Sequence, residues 1–236
     1  MRVLLTRPTI DSESIARQLR DRSISTVTDP LLSFALLDVK APSLSSYQAI
    51  IFTSTNGIRA FEKISFERNI KVYAVGDKTA KLAKALSFQS VTSAGGDLIK
   101  LSNTIKDQLN PTNGPLLYLC GKHQAGDLKQ DMITHGFALD KLEVYDMVAA
   151  TNLSEPAMNS LKNQEIDYIP FYSVRSAHIF IELVKNAELQ NTLSNISALC
   201  LSPAIENVIK THCWKNILTA DKPNQYSLFK LIDIEL

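Results

Sequence analysis

Short apolar runs that end in small polar turns recur along this chain, and each turn leads into an amphipathic stretch. The runs are Val3-Leu4-Leu5-Thr6, Ile50-Ile51-Phe52-Thr53, Val72-Tyr73-Ala74-Val75, Leu116-Leu117-Tyr118-Leu119, Tyr168-Ile169-Pro170-Phe171-Tyr172 and Ala198-Leu199-Cys200-Leu201. The turns that follow them are Arg7-Pro8, Ser54-Thr55-Asn56-Gly57, Gly76-Asp77-Lys78-Thr79, Gly121-Lys122-His123, Ser173-Val174-Arg175-Ser176 and Ser202-Pro203-Ala204. Strand, polar turn and helix in repeated order predict an α/β protein built on parallel sheets flanked by helices. Ligands of such sheets gather at the carboxyl ends of the strands, where these turns lie. The turns offer backbone N–H groups, hydroxyls and a few cations, a set suited to anions at helix N-termini.

The pattern also repeats on a larger scale. Residues Ile51 to Phe61 are echoed by Pro170 to Phe180, with Phe52 and Phe61 matching Phe171 and Phe180. Tyr73 to Ala80 is echoed by Leu199 to Glu206, and Val91-Thr92-Ser93-Ala94 by Ile217-Leu218-Thr219-Ala220. The opening strand has its partner at Leu116 to Cys120. Echoes in the same order predict two similar small α/β domains in place of one large domain.

Composition narrows the class. A chain of 236 residues with 45% hydrophobic and 21% charged residues can pack one large core or two small ones. Lys plus Arg total 25 against 24 Asp plus Glu, a net charge of +1. That balance provides no basic face for nucleic acid and no polybasic membrane anchor. No signal-peptide pattern opens the chain, and no apolar stretch has the length of a membrane span. Three scattered cysteines, Cys120, Cys200 and Cys213, argue against a disulfide framework. The expectation is a cytoplasmic monomer.

Helical periodicity marks residues 10 to 22 through Ile15 and Leu19, and a segment after the Gly76 turn through Leu82, Ala83 and Leu86. Leu98, Leu101, Ile105 and Leu109 mark a longer helix capped by Asp97, and Leu228, Leu231 and Ile232 mark the last helix. Two extended apolar segments break the rhythm: Thr26 to Val39, containing Pro30, and Leu139 to Ala150, centred on Tyr145. They stand where a duplicated chain would cross between its domains. Strict alternation in the second would put Val144, Asp146 and Val148 on the face opposite Tyr145.

Thr6-Arg7-Pro8, Phe52-Thr53-Ser54 with Asn56-Gly57, Ala74-Val75-Gly76 with Thr79-Ala80, Leu142-Glu143-Val144-Tyr145 and Phe171-Tyr172-Ser173 together resemble uroporphyrinogen-III synthases, as does Ala220 with Pro223 and an apolar helix. The resemblance covers essentially the whole chain. It departs after Ser202-Pro203, where the family commonly carries hydroxyl residues and this chain has Ala204 and Ile205. The resemblance implies two domains joined by two extended connectors, one formed by residues 1–34 and 151–236 and the other by residues 38–147. It implies closure of linear hydroxymethylbilane, with loss of water and inversion of the terminal pyrrole ring through a spiro intermediate. The implied partners are this small-molecule substrate and, transiently, the upstream bilane-forming enzyme. A non-catalytic two-lobed binding protein for a small anionic ligand is the alternative reading of the same turns.

No cofactor is expected, because the chain has no Gly-x-Gly-x-x-Gly run and no phosphate-loop sequence. No metal is expected either, since His123, His135, His178 and His212 lack ligand spacing with carboxylates or cysteines. Tyr145 is the candidate acid, a phenol able to protonate the leaving hydroxide. Arg7, Ser54, Asn56, Lys78, Thr79, Lys122, Ser173, Arg175 and Ser202 are the candidates for holding substrate carboxylates, with His123 a weaker one. Helix capping is the primary role expected of most of the hydroxyl and amide residues in this set.

Overall fold

In a computed structural model, which describes residues 1–124 and 126–235, the chain divides into two compact units, Met1–Ser33 with Val148–Leu236 and Phe34–Met147. The elements run β1 (Arg2–Leu5), α1 (Thr9–Arg20), β2 (Ser25–Thr28), β3 (Leu32–Leu36), β4 (Ala49–Phe52), α2 (Thr55–Ile64), β5 (Lys71–Ala74), α3 (Asp77–Ala85), β6 (Ser90–Ser93), α4 (Leu98–Gln108), β7 (Leu116–Gly121), α5 (Leu128–Thr134), β8 (Leu139–Ala149), α6 (Glu155–Lys162), β9 (Tyr168–Phe171), α7 (Val174–Asn186), β10 (Ser197–Cys200), α8 (Pro203–Ile209), β11 (Asn216–Thr219) and α9 (Gln225–Lys230). No helix among the described residues is long and apolar enough to cross a membrane.

The first unit carries a sheet ordered β11-β10-β9-β1-β2, and the second a sheet ordered β3-β8-β7-β4-β5-β6. The pairings β1 with β2 and β9, β10 with β9 and β11, β4 with β5 and β7, β5 with β6, and β7 with β8 are all parallel. Without its edge strand β3, the second sheet reads β8-β7-β4-β5-β6, which corresponds strand for strand to β2-β1-β9-β10-β11. The echoed segments therefore take equivalent places: β4 matches β9, β5 matches β10, β6 matches β11 and β7 matches β1. This is the duplicated α/β architecture that the sequence predicts.

Parallel strands need crossover helices, and those helices cover both sheet faces, so central strands must be apolar on both sides. All four residues of β4 and all six of β7 are buried. Ile50 and Phe52 enter one core beneath α2 and α3, while Ala49 and Ile51 enter the opposite core with Leu101, Ile105 and Met132. The repeat extends to the aromatic centres of the two units. Phe52 meets Phe61 at 6.1 Å and 62°, and Phe171 meets Phe180 at 5.4 Å and 59°. A third ring closes each cluster, Phe88 in one unit and Trp214 in the other.

The structure corrects three local expectations. Thr26 to Val39 is not one uninterrupted segment: Thr26 to Thr28 belong to β2 and Leu32 to Leu36 to β3, and the division between the two units falls inside it, between Ser33 and Phe34. Leu139 to Ala150 is mostly β8, which pairs with β7 from Leu139 through Tyr145 as a full member of the sheet. The last helix ends at Lys230, so Leu231 and Ile232 lie beyond it although Ile232 still packs against the core.

The matched aromatic pairs generate a stability prediction. Phe52→Ala and Phe171→Ala each remove a fully buried ring. Each is expected to cost about 3–5 kcal/mol, read as a lowered urea midpoint. An exposed control, Phe66→Ala, removes a ring that is 96% exposed and should leave the midpoint nearly unchanged.

Candidate functional site

In a doubly wound sheet, the ligand crevice opens beside the strand ends at which the order reverses. In the second unit that point lies between β4 and β7, whose neighbours continue in opposite directions. A cavity of about 530 Å³ sits there, lined by Thr53, Ser54, Val75, Asp97, Leu98, Ile99, Tyr118, Gly121, His123, Gln124 and Tyr145. The lining thus comes from the ends of β4, β5 and β7, from the start of α4, and from β8.

Ser54 links local folding to this cavity. It is the N-cap of α2, accepting a hydrogen bond from the Gly57 N–H at 3.2 Å. The same oxygen lies 2.9 Å from the Tyr145 hydroxyl. With the Gly57 amide bonded to its lone pair, the Ser54 O–H is free to donate to the phenol oxygen, leaving the phenol proton for the cavity. Such a chain polarises each bond in turn. A second pair, Thr53 and Tyr118, meets hydroxyl to hydroxyl at 3.1 Å. Burial pushes the Tyr118 phenol up to about 12. Burial also raises Tyr145, with the Ser54 hydrogen bond acting in the opposite direction. Both phenols keep their protons at neutral pH.

Tyr145 owes its position to a bulge. Cys120 pairs with Glu143 but Gly121 pairs with Tyr145, so β8 carries one extra residue, Val144. A bulge breaks the period-two alternation. As a result Val144 and Tyr145 join the same core cluster, which corrects the expectation that they face opposite ways. The Tyr145 ring stacks on Phe34 at 5.5 Å and 22°. On its other side it lies against Gly121, where an added Cβ would stand 2.7 Å from the ring carbons and 3.0 Å from the hydroxyl. Glycine here makes room for the tyrosine.

The remaining candidates are distributed over both units. Asn56, the second residue of α2, donates to the Met147 sulfur at 3.4 Å and accepts from Arg59 at 3.1 Å. Lys78 is exposed and Thr79 is buried within α3, whose cap position is Gly76. Lys122 stands 3.7 Å from Asp146. None of these four lines the cavity at the switch point. In the first unit the equivalent switch point lies between β1 and β9. There Arg7 stacks on Tyr172, 4.4 Å from the ring centre, and bonds Asp11 at 2.9 Å. Ser173 caps α7 through the Ser176 N–H at 3.1 Å, and Arg175 follows in that helix. Ser202 stands at the cap of α8 without a side-chain cap bond. Beyond Pro203, Ala204 and Ile205 are exposed and buried respectively, so this turn offers its backbone and Ser202. The residues that sequence reasoning passed over are Thr53, Tyr118, Gly121 and Gln124, which lie in or beside runs and turns it had already marked.

Gly121→Ala is expected to displace the Tyr145 ring while the chain remains folded, at an overpacking cost of about 1–3 kcal/mol. Because burial is the main cause of the raised phenol, the variant should bring Tyr145 back toward its ordinary value of 10.0. Phenolate absorbance titration reads this, with Gly121→Ala/Tyr145→Phe as the control that assigns the shifted group.

Comparison with known proteins adds an independent line. The family model described as uroporphyrinogen-III synthase HemD matches residues 13–230. A uroporphyrinogen-III synthase from Chlorobaculum parvum is 24% identical over 204 residues, covering 81% of this chain and 82% of that protein. The uroporphyrinogen-III synthetase structure from Helicobacter pylori has a TM-score of 0.68 at 20% identity, over 98% of each chain. A mutant uroporphyrinogen III synthase from Thermus thermophilus has a TM-score of 0.54 at 13% identity, over 98% of this chain and 96% of that one. These structures share the two-domain α/β fold, and because the family model spans nearly the full length, the chain belongs to the uroporphyrinogen-III synthase family.

Proposed function

We propose that this chain is an enzyme of heme biosynthesis that closes linear hydroxymethylbilane to uroporphyrinogen III, a cyclising hydro-lyase reaction. The family match over residues 13–230 carries this reading. The cavity at the second unit's switch point supports it, because a phenol held by a capping serine faces a space suited to one reacting ring.

In this reading the terminal hydroxymethyl group enters beside Tyr145. The phenol donates to the hydroxyl as its C–O bond breaks, and the electron-rich pyrrole stabilises the resulting cation. Ser54 then donates to the phenolate, which limits the charge left in a poorly solvated place. Holding the terminal ring against the required carbon supplies the rest by orientation. Substrate carboxylates are held by the strand-end turns, through helix N-terminal N–H groups and the side chains of Arg7, Ser54, Asn56, Lys78, Thr79, Lys122, Ser173, Arg175 and Ser202. Arg7 is well suited among them, since Tyr172 and Asp11 hold its guanidinium in one place.

The test is an isomer assay. With fresh hydroxymethylbilane, the protein should divert product from the type I isomer, which forms without catalysis, to the type III isomer. A product mixture equal to the protein-free control would overturn the assignment. Tyr145→Phe keeps the ring and its stacking, so melting temperature should hold while the saturated rate falls by roughly 10²-fold. A folded variant at wild-type rate would remove the phenol from the chemistry.

A further inference from the structure

Among the titratable side chains lining the cavity, His123 has surroundings that the acid chemistry leaves unexplained. His123 lines the cavity beside Gly121 and Gln124, and its imidazole Nε2 lies 3.7 Å from the Asp146 Oδ1. The Asp146 side chain is only 19% exposed, against 62% for His123. Its Oδ1 is buried and has no hydrogen-bond partner among the described residues. Lys122 approaches the other carboxylate oxygen, also at 3.7 Å. A buried carboxylate oxygen without a donor is costly, and the imidazole is the donor placed to satisfy it.

We propose that His123 is the general base of the ring closure and that Asp146 is its positioning residue. The inference rests on the cyclisation reading above. A small closing motion brings the Nε2–H onto Asp146 Oδ1, which satisfies that oxygen and fixes the tautomer. Nδ1 is then the basic nitrogen presented to the cavity. An aspartate in this place also stabilises the imidazolium once it has formed.

The reaction needs both an acid and a base. At the start the C–O bond breaks with its electron pair on oxygen, and the Tyr145 proton goes to that oxygen, releasing water. At the end a C–C bond has formed at a pyrrole carbon that still carries its hydrogen. That C–H bond breaks, its electrons restore the aromatic ring, and the proton goes to Nδ1 of His123. The exposed imidazolium passes the proton to solvent, and the phenolate recovers one. The substrate loses one water in total, and no oxidant or reductant takes part. Phenol and imidazole suit these two roles because burial raises the phenol so that it holds its proton, whereas a neutral imidazole nitrogen has a lone pair to accept one.

The charged and titratable groups around His123 are Asp146 and Tyr145 from β8, Tyr118 from β7, Lys122 on its own turn and Asp97 at the cap of α4. The two phenols, both raised, do not titrate near neutral pH.

The test is the pH dependence of the saturated rate from about pH 5.5 to 9. A neutral base gives wild type an acid limb: activity falls as pH drops and His123 takes up a proton. His123→Gln should lose this limb and lower kcat by roughly 10-fold or more with KM little changed. Asp146→Asn should keep the limb but move it to lower pH, because the imidazolium loses its anion. Substrate deuterated at the terminal pyrrole carbon should show a primary isotope effect in His123→Gln, where proton removal becomes limiting. A wild-type rate and profile in folded His123→Gln, with no isotope effect, would overturn the proposal. So would a raised KM with activity lost toward high pH, the sign of an imidazolium that only binds carboxylates. Failure of the cyclisation reading is separate, since it would show as no diversion to the type III isomer by the wild-type protein.

Discussion

Parallel pairing is the constraint on which everything else in each unit depends. Two parallel neighbours cannot be joined by a tight turn, so neighbouring strands are linked by crossovers, and the crossovers here are helices. The helices bury both sheet faces, which is why β4 and β7 are apolar without alternation. The same rule aligns the strands, so their carboxyl ends and the helix N-termini meet along one edge. In each unit a helix-capping serine, Ser54 before α2 and Ser173 before α7, therefore stands at the strand ends beside that unit's point of reversal.

Duplication shows in the packing as clearly as in the topology. The spacing of nine residues between Phe52 and Phe61 recurs between Phe171 and Phe180. In each unit it places a strand-end ring against a helix ring at nearly the same angle. The third ring arrives from the equivalent connection in each unit, Phe88 between α3 and β6 and Trp214 between α8 and β11, each two residues before the strand. The copies thus share all three ring positions and differ in the residue at the third, phenylalanine in one and tryptophan in the other.

The two units differ at their switch points. In the second, Ser54 joins helix capping to the hydrogen bonding of Tyr145, so one hydroxyl serves both the helix and the cavity. In the first, the corresponding place holds Arg7 stacked on Tyr172, a cation pinned between a ring and Asp11. The duplicated scaffold thus carries a phenol facing a cavity in one copy and a guanidinium held by a ring and a carboxylate in the other. The bulge at Val144 belongs to this divergence: β2, the counterpart of β8, pairs with β1 residue by residue with no extra position.

What the sequence determined by itself is the local and the repeated. Apolar runs ending in polar turns predict strand and helix, because periodicity and caps act within a few residues; Asp97 does accept from the Lys100 N–H as its position before Leu98 requires. The echoes predict the matched strand order, because repeated patterns build repeated units. Tyr145 stood out through a family resemblance, and Ser54 through its place before a helix. Tertiary structure decided the rest. Whether Thr26 to Val39 runs uninterrupted or splits into two strands depends on which strands lie alongside it, and neighbours distant in sequence set that. The direction of Tyr145 depends on one unpaired residue in β8, which leaves no mark in composition. The need for glycine at position 121, the Thr53–Tyr118 pair and the approach of His123 to Asp146 all arise where separate strand ends converge. Such contacts follow from packing between segments tens of residues apart, and no local pattern encodes them.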